Sequence, residues 1–143
     1  MEITTTEVQQ RLVGIWRLVR WEERDPGGTV THPLGKDAIG QIMCDAEGRM
    51  SAQLVRRDQV RFAMKTGVRR ALTRTPPWSN YFGYFGTDSI DEYAKKVTRH
   101  IEGSWFPNLI RQDQERYYRF EGEQLVLDAK TARGQVRIIW ENA

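Results

Sequence analysis

The chain has 143 residues, enough for one domain with its own hydrophobic core and too few for two domains of ordinary size. Charged residues make up 29% of the sequence and hydrophobic residues 39%, and Trp, Tyr and Phe number 5 each, which predicts a single aromatic-rich globular domain over residues 1–143. The net charge of +3 is unevenly distributed along the sequence. The segment from Arg56 to Arg74 contains seven basic residues and one acidic residue, Asp58, so its net charge is +6 and that of the remaining chain is −3.

Several classes of protein and site are excluded by what the sequence lacks. The start, MEITTTEVQQ, has neither the basic nor the apolar stretch of a secretion signal, and no apolar run approaches the roughly 20 residues needed to cross a bilayer. We therefore expect a cytoplasmic protein with no membrane contact. A single cysteine, Cys44, excludes an internal disulfide and a cysteine-based zinc site.

The sequence also lacks the residue patterns of metal and cofactor sites. The two histidines, His32 and His100, lie far apart and lack the spacing of metal ligands, so we expect no metal. The sequence has no glycine-rich phosphate loop, nucleophile elbow or dinucleotide fingerprint, and we expect no cofactor.

The predicted elements begin with a short helix over the first dozen residues, followed by a long strand, VGIWRLVRWEER, that ends at the turn signal DPGG. A hairpin follows, and five further extended segments come later in the chain. In order, the seven segments after the first strand are IGQIMC, RMSAQLV, YFGYFGTD, KKVTRHIEG, ERYYRFEG, EQLVLDAK and GQVRIIWE.

The segment from Asp58 to Ser79 has a different pattern. Apolar residues recur every four positions and basic residues follow an adjacent line, which predicts an amphipathic helical insertion between the third and fourth strands, ended by Pro76 and Pro77. The basic line is typical of a solvated helix face. Two alternatives remain open: a lid over a binding site, or attraction of an anionic ligand or nucleic acid.

About eight short, sequential strands with no other edge protection favour a closed up-and-down antiparallel barrel over an open sheet. The predicted fold is therefore all-β, with a short N-terminal helix and one helical insertion.

The ordered segments resemble the lipocalin-like domains of bacteria and fungi, which are small calycin-type barrels. The resemblance rests on a Gly-x-Trp in the first strand and on four later segments, and it spans nearly the whole chain. The segments are LVGIWRLVRWEERD, GRMSAQLVR, YFGYFGT, HIEGSWFPN and RIIWE. It implies a ligand cavity open at one end, and structural roles for Gly14, Trp16 and a basic residue of the last strand, here Arg137, which lies earlier in that strand than the family pattern places it.

Strand alternation nominates candidates for acid–base chemistry. If Trp16 points inward, Arg20 and Glu22 should follow it inside, and an inward His100 and Glu102 would meet them across the cavity. A histidine beside a carboxylate is a plausible general acid or base. The alternative is a cross-strand or solvated pair with no catalytic role.

Other side chains are candidates for binding a ligand. Tyr84 is a third catalytic candidate because an inward hydroxyl could orient a carbonyl or phenol, although plain aromatic packing explains it equally well. The expected ligand-binding residues are Arg20, Met64, Trp105 and Tyr118. An inward Arg20 would suit an acidic ligand unless a nearby glutamate neutralises it.

The favoured function is binding of a small, largely apolar or aromatic molecule inside the barrel, with an acidic molecule as one option and cofactor-independent isomerase, cyclase or lyase chemistry as an extension. A non-catalytic carrier or sensor is the main alternative, and nucleic-acid binding by the basic segment is the least favoured. A homodimer is one option for assembly.

Overall fold

The computed structural model describes residues 5–59 and 80–143, which form one α-helix and nine strands. The elements are α1 (Thr5–Leu12), β1 (Gly14–Arg24), β2 (Val30–Thr31), β3 (Ile39–Cys44), β4 (Arg49–Val55), β5 (Tyr81–Asp91), β6 (Lys96–Ser104), β7 (Asp113–Glu121), β8 (Gln124–Thr131) and β9 (Gly134–Asn142). A short 3-10 turn, Pro107–Leu109, links β6 to β7.

Eight of the strands close into an antiparallel barrel in the order β1-β3-β4-β5-β6-β7-β8-β9, and β9 pairs back onto β1. The two-residue β2 pairs only with the far end of β1. Closure leaves no long unpaired edge, which is how antiparallel sheets avoid edge-to-edge association. The predicted eight-stranded barrel with an N-terminal helix is therefore confirmed.

The predicted helical insertion falls largely on residues 60–79, which lie outside the described residues. The chain leaves β4 and returns to β5 at one point, where the Arg56 amide donates to the Asn80 carbonyl over 3.0 Å. This point lies at the end of the barrel opposite α1.

The core consists of the inward-facing residues of all eight barrel strands, closed at one end by α1. Val8 and Leu12 of the helix are buried against this core, and the loop between β2 and β3 adds Leu34 at the opposite end. Apolar burial on this scale is the main stabilising term for a small barrel. Trp16 and Trp140 are the largest side chains in the core near the helix.

Two bulges decide which side chains reach the interior. In β1 the pairing with β9 slips between Leu18 and Arg20, so Val19 is an extra residue and the alternation reverses after it. Trp21 is consequently buried, whereas Arg20 lies outside. The expectation that Arg20 and Glu22 follow Trp16 into the barrel is therefore wrong: they pair with each other outside, 3.6 Å apart.

The second bulge lies in β6. Phe85 pairs with Gly103 and Gly86 with Ile101, so Glu102 is the extra residue. Before this bulge the inward residues of β6 are Val97, Arg99 and Ile101, all buried. His100 and Glu102 project from the outer face, so the expectation that they point into the cavity is also wrong.

The β6 bulge makes Gly86 irreplaceable, because a Cβ there would collide with the backbone carbonyl oxygen of His100. We expect Gly86→Ala to lower the free energy of unfolding by about 3 kcal/mol, since the obstacle is backbone and cannot rotate away. Urea denaturation followed by tryptophan fluorescence would measure the loss. Gly27→Ala, in the turn after β1 and close only to a flexible Asp25 carboxylate, is the matched control. Equal stability of the two variants would contradict this account of the bulge.

Candidate ligand cavity

A cavity of about 190 Å³ lies inside the barrel, toward the end opposite α1. Its wall combines large apolar side chains with a few polar ones, the usual composition of a small-molecule site. The lining residues are Trp21, Leu54, Phe82, Tyr84, Ile101, Trp105, Leu109, Gln114, Arg116, Val136 and Ile138.

Three aromatic rings form one side of the cavity. The Phe82 ring makes edge contacts with Trp21, at a centroid distance of 4.8 Å, and with Trp105, at 4.4 Å. Trp105 follows the end of β6, where its backbone amide donates to the Gly83 carbonyl over 2.8 Å. The indole N–H groups of Trp21 and Trp105 are both buried and have no hydrogen-bond partner among the described residues. Buried donors are normally paired; the indole N–H of Trp140, which is not part of the cavity wall, is likewise without a partner among the described residues.

A charged group also lies inside the barrel. The Arg99 side chain is 5% exposed, with its Nε 3.6 Å from the Asp88 carboxylate, and its Nη1 donates to the Tyr84 hydroxyl over 2.7 Å. Burial raises the pKa of Asp88, and Arg99 opposes that rise. Burial alone would lower the pKa of Arg99, but the Tyr84 oxygen and Asp88 outweigh it, so the guanidinium keeps its charge.

A second arginine, Arg116, lines the cavity on β7. Its guanidinium donates to the Glu115 carbonyl over 2.9 Å and to the Gln114 side-chain oxygen over 3.4 Å. Burial lowers its pKa, and the positive charge of Arg99 contributes to the lowering. Among the described residues, no carboxylate lies within 4 Å of this guanidinium, whereas Arg99 has Asp88.

The structure divides the three predicted catalytic residues between two faces. Tyr84 lines the cavity, as expected of an inward hydroxyl. His100 instead forms an outer-face relay, in which Ser89 Oγ lies 2.7 Å from Nε2 and Asp113 Oδ1 lies 2.8 Å from Nδ1. Glu102 is exposed on the same side of the sheet. The relay has the atom order of a serine–histidine–aspartate triad, but it sits on an exposed strand surface and cross-links β5, β6 and β7.

The four predicted ligand-binding residues also separate. Trp105 lines the cavity, and Arg20 is outside it. Tyr118 faces inward but is not part of the cavity wall; burial raises its pKa, and Glu92 beyond β5 adds to the rise. Its hydroxyl has no hydrogen-bond partner among the described residues. Met64 lies outside the described residues.

The residues expected to be structural act at two places. Gly14 has φ +131°, in a region that favours glycine, and lets the chain turn from α1 into β1. Two residues later the buried Trp16 indole donates to the Leu12 carbonyl at the end of the helix, over 2.9 Å. Arg137 lies elsewhere, on the outer face, where it binds Asp128 of β8 through two hydrogen bonds of 2.8 and 3.2 Å. The partner of Trp16 is therefore a helix carbonyl, which satisfies both groups.

Sequence reasoning missed Asp88, Arg99 and Arg116. A signal for Arg99 was present, because it shares its strand face with the apolar Val97 and Ile101. Arg116 likewise shares a face of β7 with Tyr118, which lies two residues later. Cys44 is partly buried and packs against the core. Burial raises the pKa of its thiol to about 11, so the nucleophilic thiolate is scarce near neutral pH.

The interior ion pair predicts a pH-dependent loss of stability. Arg99→Met leaves a buried Asp88 without its counter-charge, which should lower the free energy of unfolding by about 3 kcal/mol at pH 8. The pKa of Asp88 is already raised, and removing Arg99 raises it further. A carboxyl whose pKa is higher in the folded than in the unfolded protein costs stability as pH rises above the unfolded-state pKa, and the cost is complete above the folded-state pKa. The loss relative to wild type should therefore be smaller at pH 5.

Urea denaturation at both pH values would measure this difference. The double variant Asp88→Asn/Arg99→Met should lose the pH dependence, because it removes the titrating group. Arg17→Met, which breaks an exposed pair with Glu141, is the control and should change little at either pH. A loss in Arg99→Met that does not change between pH 5 and pH 8 would contradict the assignment to Asp88.

Comparison with known proteins agrees with this architecture. Over residues 5–59 and 80–143, no helix is both long and apolar enough to pass through a membrane. A search of curated proteins finds no match. The family model for the lipocalin-like domain matches residues 13–142, from the residue before β1 to the last residue of β9. The chain therefore belongs to the lipocalin-like domain family.

Proposed function

We propose that the protein binds a small, largely apolar or aromatic molecule in the barrel cavity. The observation that carries the proposal is the cavity itself, an interior space of about 190 Å³ walled by Trp21, Phe82 and Trp105 and bordered by a few polar groups. A dry apolar cavity of about 150 Å³ is large enough to hold benzene, so this space suits a ligand built on one ring. Membership of the lipocalin-like family supports the same function.

Filling the cavity should abolish binding without unfolding the barrel. Leu54→Phe adds volume to the cavity wall, so we expect it to lower affinity for toluene at least tenfold. Gln53→Phe makes the same addition on the adjacent, outward position of β4 and should retain wild-type affinity. Saturation-transfer NMR with toluene would compare the proteins, and circular dichroism would check folding. Absence of toluene binding to the wild type, or equal loss in both variants, would contradict the proposal.

Catalysis by proton transfer is a second candidate, and it rests on Tyr84. The Tyr84 oxygen accepts a hydrogen bond from Arg99, so its own O–H is available to another acceptor, and the residue lines the cavity. Such a phenol could donate to a ligand carbonyl while water takes the neighbouring C–H proton, the first step of a cofactor-independent isomerisation, cyclisation or elimination.

Hydrogen exchange tests this candidate on a ketone of suitable size. In D₂O, the wild type should exchange the protons next to the carbonyl of phenylacetone faster than buffer alone. Tyr84→Phe should lose the acceleration, and Tyr117→Phe, an outward tyrosine of β7, should keep it. Exchange at the buffer rate with wild-type protein would leave a non-catalytic carrier or sensor as the function.

Roles for His100 and Glu102 in catalysis, nucleic-acid binding by the basic segment and a homodimer stay predictions. The outer-face relay places His100 away from the cavity, so any chemistry by that residue belongs to the outer surface. Most of the basic segment lies outside the described residues.

A further inference from the structure

We infer that the ligand is a small organic anion, an aromatic or apolar monocarboxylate, whose acid group binds Arg116. This inference rests on the proposed function, because it specifies the class of ligand that the same cavity takes. It follows from the charge balance of the interior, from the kind of hydrogen-bonding groups in the wall and from the cavity volume.

The charged groups at and beside the cavity have a positive balance. Two arginines, Arg99 and Arg116, accompany one carboxylate, Asp88, which lies beside Arg99. Glu92, which has one buried oxygen, follows β5 and acts on Tyr118, which is not part of the cavity wall. Burial raises the pKa of Asp88 and lowers the pKa of Arg116, so it disfavours the charged form of both groups unless each has a counter-charge. Arg116 is only partly exposed, so its charge is incompletely solvated, and a ligand anion would supply the counter-charge that it lacks.

The rest of the chain offers few acidic side chains that could neutralise Arg116. No carboxylate among the described residues forms an ion pair with it, although twelve such pairs occur elsewhere in that part of the protein. The sequence from 60 to 79 contains neither Asp nor Glu, so that segment has no acid to supply. Glu2 is the only acidic side chain outside the described residues, so an external anion is the favoured source of negative charge at this position.

The hydrogen-bonding groups of the wall are mainly donors. Arg116 carries five N–H groups, of which the described structure pairs two. The buried indole N–H groups of Trp21 and Trp105 have no partner among the described residues. The described lining includes no Asp or Glu that would repel an anion. A carboxylate accepts several hydrogen bonds and matches the planar guanidinium, whereas a neutral amide has one acceptor oxygen and no counter-charge.

The volume restricts the apolar part of the ligand. About 190 Å³ is below the 300–1,000 Å³ typical of sites for drug-sized molecules. One aromatic ring with a short acidic arm fits this space, with the ring against Phe82 and the acid at Arg116. Phenylacetate has this shape, and phenylacetamide is its neutral counterpart of nearly equal size.

Isothermal titration calorimetry with this pair of compounds tests the inference. We expect the wild type to bind phenylacetate at least tenfold more tightly than phenylacetamide, because only the carboxylate supplies a counter-charge and can accept two parallel hydrogen bonds from the guanidinium. Arg116→Met should reduce the preference to about one. Arg116→Lys, which keeps the charge, should retain part of it. Arg119→Met changes an exposed arginine on the outer face of the same strand and should keep the full preference.

The outcomes separate this inference from the proposed function. Equal binding of the two compounds to the wild type would overturn the anion class while keeping the cavity as a binding site. A preference for phenylacetate that survives in Arg116→Met would also overturn it, because the acid would then bind elsewhere. If neither compound binds and toluene fails as well, both proposals are wrong. Heat denaturation of each variant would show whether it is folded at the temperature of the titration, so that an unfolded protein is not taken for a weak binder.

Discussion

The guanidinium of Arg99 organises the interior of this barrel. It lies between the Asp88 carboxylate and the Tyr84 hydroxyl and is almost fully buried. Asp88 is the ion-pair partner of Arg99, and none of the described carboxylates pairs with Arg116. The Tyr84 oxygen accepts the hydrogen bond from Arg99, which leaves its own O–H available to another acceptor. The polar character of the cavity therefore depends on one ion pair that does not itself line it.

Much of the fold could be predicted from the sequence, because strand alternation, glycine-bearing turns and the Gly-x-Trp motif act locally. The faces of β1 and β6 could not. Val19 and Glu102 each add one residue to a strand, and such a slip moves every later side chain to the other face. Nothing about Val19 as a residue type marks a bulge. For β6 a signal existed, since the apolar Val97 and Ile101 share a face with Arg99 and exclude His100.

The two faces of β6 consequently carry different chemistry. His100 joins Ser89 and Asp113 in water, where hydrogen bonds between neighbouring strands contribute modestly to stability. Arg99, one residue away, is charged in a setting of low polarity, where each contact has larger consequences. Membership of this family establishes the fold and does not establish the ligand. The identity of the ligand depends on side chains such as Arg116 rather than on the architecture.

A crystal structure of the protein grown with phenylacetate would test the central claim most directly, namely that Arg116 is the cavity's anion-binding group. We expect the aromatic ring against Phe82 and the carboxylate oxygens about 2.8 Å from the Arg116 guanidinium. A carboxylate directed away from Arg116, or phenylacetate found only on the outer face of the barrel, would contradict it.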